Sequence, residues 1–93
     1  MVSVKRIVLD VLKPHRPNVL EFSKSVAAVG SDYHVSLIVV EVDENTETLQ
    51  LEIEGENLDL YEIEAAINAM GGSLHSIDQV NVVSQHDEPE AGE

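Results

Sequence analysis

The chain has 93 residues and a formal net charge of −13, so it is long enough for one small and strongly acidic domain. It contains no cysteine, which excludes disulfides, thiolate metal sites and a nucleophilic cysteine. All five basic residues lie among the first 24, and 16 of the 18 acidic residues follow them. Because phosphate binding requires clustered cations, we expect no nucleic-acid partner.

The sequence predicts no membrane segment. Apolar runs such as residues 37–40 are far shorter than the ~20 residues that span a bilayer. The first residues, MVSVKRIVLDV, lack the apolar stretch and small-residue cleavage site of a signal peptide. We therefore expect a cytoplasmic location and no membrane partner.

The acidity has two interpretations. In the first, the chain is an ordinary soluble domain with solvated carboxylates. In the second, the protein is halophilic and works in molar salt, where the Debye length is ~3 Å and repulsion between carboxylates is screened. The second interpretation predicts that the fold loosens in dilute buffer.

The first third of the chain predicts a strand followed by a helix. Residues 4–12 alternate, with Ile7, Leu9 and Val11 on one face. Pro14 ends the strand because it has no N–H, and Pro17 suits the first turn of the helix. The helix is expected to continue to about residue 29. Its buried stripe comprises Val19, Phe22, Val26 and Val29.

The second strand, residues 33–42, is apolar on both faces. Val35, Leu37 and Val39 alternate with a second apolar set. That second set is Ile38, Val40 and Val42. The helices of a two-layer domain cover only one face of the sheet, so we expect another surface to cover part of the second face.

The rest of the chain repeats the alternation of strand and helix. Residues 43–46 form a turn, residues 48–54 a strand, and Asp59 with Glu62 a capping box for a second helix. Gly71-Gly72 ends that helix, and residues 74–84 form the last strand, with a bulge expected near residues 76–78. The acidic residues 85–93 are interpreted as a disordered tail behind a domain of residues 1–84.

The resulting order, β-α-β-β-α-β, is typical of the ferredoxin-like fold. We therefore predict an α+β two-layer sandwich with an antiparallel sheet in the strand order 4-1-3-2.

Three segments carry a family resemblance. LDVLKPHRP, VVEVDENTETLQLEIEGENLD and IEAAINAMGGSLHSIDQV together resemble the archaeal domain-of-unknown-function family 211, from residue 4 to about residue 84. No activity is established for that family. The resemblance implies a ferredoxin-like protomer, a homo-oligomer in the form of a closed ring, and no catalytic residues.

The residues themselves also favour self-association. The second strand has surplus apolar residues and lies at an edge of the predicted sheet, and such edges invite pairing. Basic and acidic residues occupy different parts of the chain, which favours a head-to-tail contact that closes into a ring. The alternatives are a monomer and a two-fold dimer.

Two ligand sites are predicted at the end of the sheet where the first strand meets its helix. One is an anion site at the helix N-terminus, to which Lys13, His15 and Arg16 add positive charge. Its alternative is that these bases pair with acids of a neighbouring subunit.

The other predicted site holds a divalent cation. The turn residues Asp43, Glu44 and Glu47 offer the hard oxygen ligands of calcium or magnesium, whereas His75 and Asp78 suit a softer metal. Its alternative is an acidic hairpin tip that is simply solvated.

The leading hypothesis is a non-enzymatic, self-assembling binding module for a divalent cation or a small anion. No G-x-S-x-G, P-loop or G-x-G-x-x-G motif is present. Two alternatives stay open: a small enzyme with a composite site at subunit boundaries, and a structural ring that docks onto a larger complex.

Overall fold

Four strands form one antiparallel sheet in the computed structural model, which describes residues 1–84. The elements are β1 (Val2–Pro14), α1 (Val19–Ala27), β2 (His34–Val42), β3 (Thr46–Glu54), α2 (Leu60–Ala69) and β4 (Ser73–Ser84). The strand order β2-β3-β1-β4 is the predicted order counted from the other edge. The ferredoxin-like sandwich is therefore confirmed, whereas the tail expected over residues 85–93 lies outside the described residues.

The core lies between the helices and one face of the central strands. Ile7, Leu9 and Val11 of β1 face this layer, as their alternation predicts, and are at most 2% exposed. The remaining core residues are Phe22, Val26, Leu49, Leu51, Ile53, Leu58, Ile63 and Ile67. One aromatic ring among aliphatic side chains therefore fills the space under α1.

Each helix begins at a residue whose side chain caps it. Asp59 Oδ1 accepts the backbone N–H of Glu62 at 3.2 Å, which is one of the two bonds of the predicted capping box. The other bond is not formed, because the backbone N–H of Asp59 donates to the Tyr33 hydroxyl at 2.8 Å and not to Glu62. Asn18 caps α1 in the same way, accepting from Glu21 N at 2.9 Å. Pro17 therefore lies just before the cap and not in the first turn, where we had expected it. Neither helix is long and apolar enough to cross a membrane.

Register shifts interrupt the pairing of both edge strands. Between β1 and β4 they skip His75 and Asp78, which confirms the irregularity expected near residues 76–78. In β2 the shift falls between Val39 and Glu41 and sets Val42 opposite Glu47. Because opposite residues share a face, Val42 lies on the helix side of the sheet, contrary to the predicted alternation.

The outward face of the sheet is mostly polar. Arg6 binds Glu54 at 2.9 Å and Glu52 at 3.3 Å, and its Nε donates to Gln79 at 3.0 Å. Val8 also lies on this face and is only 8% exposed. The exposed apolar side chains of the sheet therefore lie mainly along its edges and not across this face.

Candidate functional site

A charged cluster joins the end of β1 to the hairpin between β2 and β3. The antiparallel register sets Lys13 opposite Glu47 and Pro14 opposite Thr46. The hairpin is closed by a hydrogen bond from Asp43 N to the carbonyl of Thr46 at 2.8 Å. We call Lys13, His15, Glu47 and the carbonyl of Glu44 the hairpin cluster.

Lys13 is the buried cation of this cluster. It continues the alternation of Leu9 and Val11 onto the helix side, and it is 0% exposed. Its ammonium donates to Glu47 Oε1 at 3.0 Å and to the carbonyls of Pro14 at 2.7 Å and His15 at 3.4 Å. An ammonium has three N–H donors, so three acceptors satisfy it. Its charge is balanced by Glu47, since buried charges are costly unless they are paired.

His15 holds the hairpin from the other side of Glu47. Its Nδ1 lies 3.1 Å from Glu47 Oε2, and its Nε2 lies 2.9 Å from the carbonyl oxygen of Glu44. Both partners are acceptors, so the two contacts are both hydrogen bonds only when both ring nitrogens carry protons, that is, when the ring is an imidazolium. The bond to Glu47, followed by the bond to Glu44, raises the pKa of His15 above its ordinary 6.5.

The pKa of Glu47 is shifted in the opposite direction to that of His15. Its hydrogen bond with His15, followed by that with Lys13, lowers its pKa below the ordinary 4.5. The charged form of each partner thus stabilises the charged form of the other. The hairpin cluster is therefore complete only at a pH where Glu47 is ionised and His15 is protonated.

This arrangement predicts a pH dependence of stability. The raised pKa of His15 stabilises the fold fully below 6.5, and this contribution is lost as the pH rises through the folded-state value. The lowered pKa of Glu47 contributes fully above 4.5 and is lost as the pH falls through its folded-state value. We expect the urea midpoint to fall between about pH 5.5 and about pH 8.5 more steeply in the wild type than in His15→Gln.

A matched control separates His15 from the other histidines. His34 is exposed at the start of β2, and its side chain makes no hydrogen bond or ion pair among residues 1–84. In His34→Gln the urea midpoint should fall with rising pH as steeply as in the wild type. Equal declines in the wild type and His15→Gln would contradict the imidazolium assignment.

The structure brings together only part of the predicted anion site. Lys13 and His15 both bind Glu47 of their own chain, so their charge is already balanced there. Arg16 is exposed and has no ion pair within the described part of the chain. The anion site stays a prediction, with Arg16 as its one unpaired base.

The predicted metal ligands are distributed over the β2–β3 turn, β3 and β4. Glu47 is engaged by Lys13 and His15, and Asp78 accepts a hydrogen bond from Ser76 Oγ at 2.7 Å. His75 lines a cavity of about 180 Å³ with Asp10, Leu12 and Thr48. The carboxylates of Asp43 and Glu44 lie on the exposed hairpin. Within residues 1–84, no group of three or more such side chains is placed to hold a metal, so this site also stays a prediction.

The pairing of Lys13 with Glu47 is not among the sequence-based predictions, although the sequence contains a signal for it. Lys13 continues the inward alternation of β1, and Glu47 continues the inward alternation of Leu49 and Leu51 in β3. Two opposite charges in core-facing positions at the same end of adjacent strands predict an ion pair.

A polar depression of about 560 Å³ lies at the opposite end of the sheet from the hairpin cluster. Its basic residues are already paired, Lys5 with Glu56 and Arg6 with Glu54.

Comparisons with known proteins give one family match and one archaeal relative. Residues 5–88 match the family DUF211, described as "Uncharacterized ArCR". "Uncharacterized protein MJ0319" of Methanocaldococcus jannaschii is 41% identical over 80 residues, which cover 86% of this chain and 82% of that protein. The chain therefore belongs to the domain-of-unknown-function family 211.

Proposed function

We propose that the protein is a non-enzymatic module that assembles with copies of itself into a closed ring. The observation that carries this proposal is the apolar edge strand β2. Ile38, Val40 and Val42 are 52%, 62% and 63% exposed, and Val39 is 40% exposed. Exposed apolar side chains concentrated along one strand mark a surface that another molecule covers.

The backbone of β2 supports the same conclusion. One side of β2 pairs with β3, and the other side has no partner strand within residues 1–84. Soluble proteins usually protect such edges with lysine, proline or short strand length. β2 has nine residues and contains no lysine, arginine or proline. The N–H and C=O groups on that other side of β2 are therefore available for pairing with a strand of another chain.

Charge contributes less to the proposal than the sequence suggested. Four of the five basic residues form ion pairs within the chain: Lys5, Arg6, Lys13 and Lys24. Arg16 alone has no such partner in the described part of the chain. The attraction between copies must therefore come mainly from apolar contact and strand pairing at the edges of the sheet.

Placing a charge on β2 tests the proposal. Ile38→Lys should convert the assembly into a monomer, because a buried unpaired ammonium at a strand interface is strongly unfavourable. Sedimentation velocity at one protein concentration measures the change.

Leu20→Lys is the matched control. Leu20 is 58% exposed, close to the 52% of Ile38, but it lies on α1 and not on a strand. This variant should sediment like the wild type. If Ile38→Lys kept the wild-type sedimentation coefficient, β2 would not be the interface.

A further inference from the structure

We propose that the strand received by β2 is β4 of the next copy, so that one antiparallel sheet continues from chain to chain with every helix layer on the same side. This inference rests on the proposed self-assembly and specifies its second surface. β4 is the other edge of the sheet, and like β2 it has one side without a partner strand in residues 1–84.

Strand direction favours this pairing. All neighbouring strands in the order β2-β3-β1-β4 are antiparallel, so β2 and β4 run in opposite directions. A second copy set beside the first in the same orientation therefore places its β4 antiparallel to β2. Antiparallel pairing is the pattern that the rest of the sheet already uses, and no copy has to be inverted.

Three apolar rows cross the helix side of the sheet from one edge to the other. Each row contains one residue from every strand, in the order β2, β3, β1, β4. The rows are Val39, Leu49, Val11 and Leu74; Leu37, Leu51, Leu9 and Ile77; and Val35, Ile53, Ile7 and Val80. A second copy placed beside the first, without displacement along the strand direction, would continue each row.

Two of the three rows end at an exposed residue of β4. Ile77 and Val80 are 47% and 56% exposed, although their row partners Leu9 and Ile7 are at most 2% exposed. The difference follows from the edge position of β4, because the helix layer covers Leu9 and Ile7 at the same levels of the neighbouring strand β1. β4 also contains no lysine, arginine or proline. Like β2, it therefore lacks the basic residues and prolines that protect a strand edge, and it runs in the direction opposite to β2.

A two-fold dimer through β2 alone is the competing arrangement. It would cover Ile38 and Val40 but leave Ile77, Val80 and Val82 in solvent on both copies. Pairing β4 with β2 covers both edges and leaves none exposed once the ring closes. The two arrangements make opposite predictions for a charge placed on β4.

The test combines two variants, Ile38→Lys on β2 and Val80→Lys on β4. Every proposed contact joins β2 of one copy to β4 of the next. Each variant alone should therefore be a monomer, because all of its copies lack one of these two surfaces. Mixed in equal amounts, they should form a dimer of one copy of each, since Ile38→Lys keeps an intact β4 and Val80→Lys keeps an intact β2. Sedimentation velocity measures the mass, and isotopic labelling of one variant shows its composition.

Three results are distinguishable. A Val80→Lys protein that assembles like the wild type would overturn the β4 contact and leave the β2 interface standing. Two folded monomers that do not combine would overturn it as well. A monomeric wild type would contradict the proposed self-assembly itself. If Val80→Lys failed to fold by circular dichroism, Val82→Lys would replace it, since Val82 is 50% exposed nearer the end of β4.

Discussion

Replacing Glu47 by alanine should lower the free energy of unfolding by about 3 kcal/mol. The substitution leaves the Lys13 ammonium fully buried without a counter-charge and removes the carboxylate partner of His15. Breaking a buried ion pair costs about 3–5 kcal/mol, and we expect the lower end because two backbone carbonyls still accept from Lys13. Urea denaturation near pH ~6 measures the effect, in the Ile38→Lys background so that unfolding is not coupled to assembly.

Two further variants identify the cause. Glu56→Ala removes the partner of Lys5, but Glu56 is 87% exposed, and exposed pairs contribute at most about 1 kcal/mol. Adding Lys13→Met to Glu47→Ala should recover part of the loss, because no unpaired charge then remains in the core. If Glu47→Ala cost no more than Glu56→Ala, the buried charge of Lys13 would have to be balanced in another way.

Replacing Phe22 by alanine should have an effect at least as large, about 3–5 kcal/mol. Phe22 is the only phenylalanine of the chain, is 0% exposed, and lies with its ring centre 6.0 Å from the Lys13 ammonium. Its removal leaves a cavity between α1 and the sheet and deprives the ammonium stem of packing. For a domain of this size the melting temperature should fall by at least about 15 °C.

Leu20→Ala is the control on the same helix. Leu20 is 58% exposed, so its truncation should change the free energy of unfolding by about 0.5 kcal/mol or less. Circular dichroism melts of the two variants give the comparison. Similar melting temperatures would show that the helix layer is held by contacts other than the aromatic ring.

The strands and helices were predictable because their patterns are local. Alternation in β1 identified Ile7, Leu9 and Val11 as core residues. Asp59, with Glu62 three positions later, marked the start of α2. The predicted start of α1 differs from the observed one because Pro17 and Asn18 are both residue types that are common at helix starts. Only Asn18 places an acceptor on the N–H of the first turn.

Strand register and the charged cluster were harder to predict because they depend on pairs of distant residues. The shift after Val39 rotates Val42 to the other face, and no residue type in β2 marks that shift. Lys13 and Glu47 are 34 positions apart, and their contact follows only once β1 and β3 are paired in register. His15 lies outside any strand, so its two hydrogen bonds have no periodic signal at all.

Self-assembly of the wild-type protein is the claim on which most of this account depends. Sedimentation equilibrium at ~0.15 M and at ~3 M KCl tests it most directly, because the measured mass does not depend on molecular shape, and the two salt concentrations separate apolar from electrostatic attraction. We predict a single species at the higher salt whose mass is an integral multiple, greater than one, of 10.2 kDa. A species of 10.2 kDa under both conditions would contradict the account.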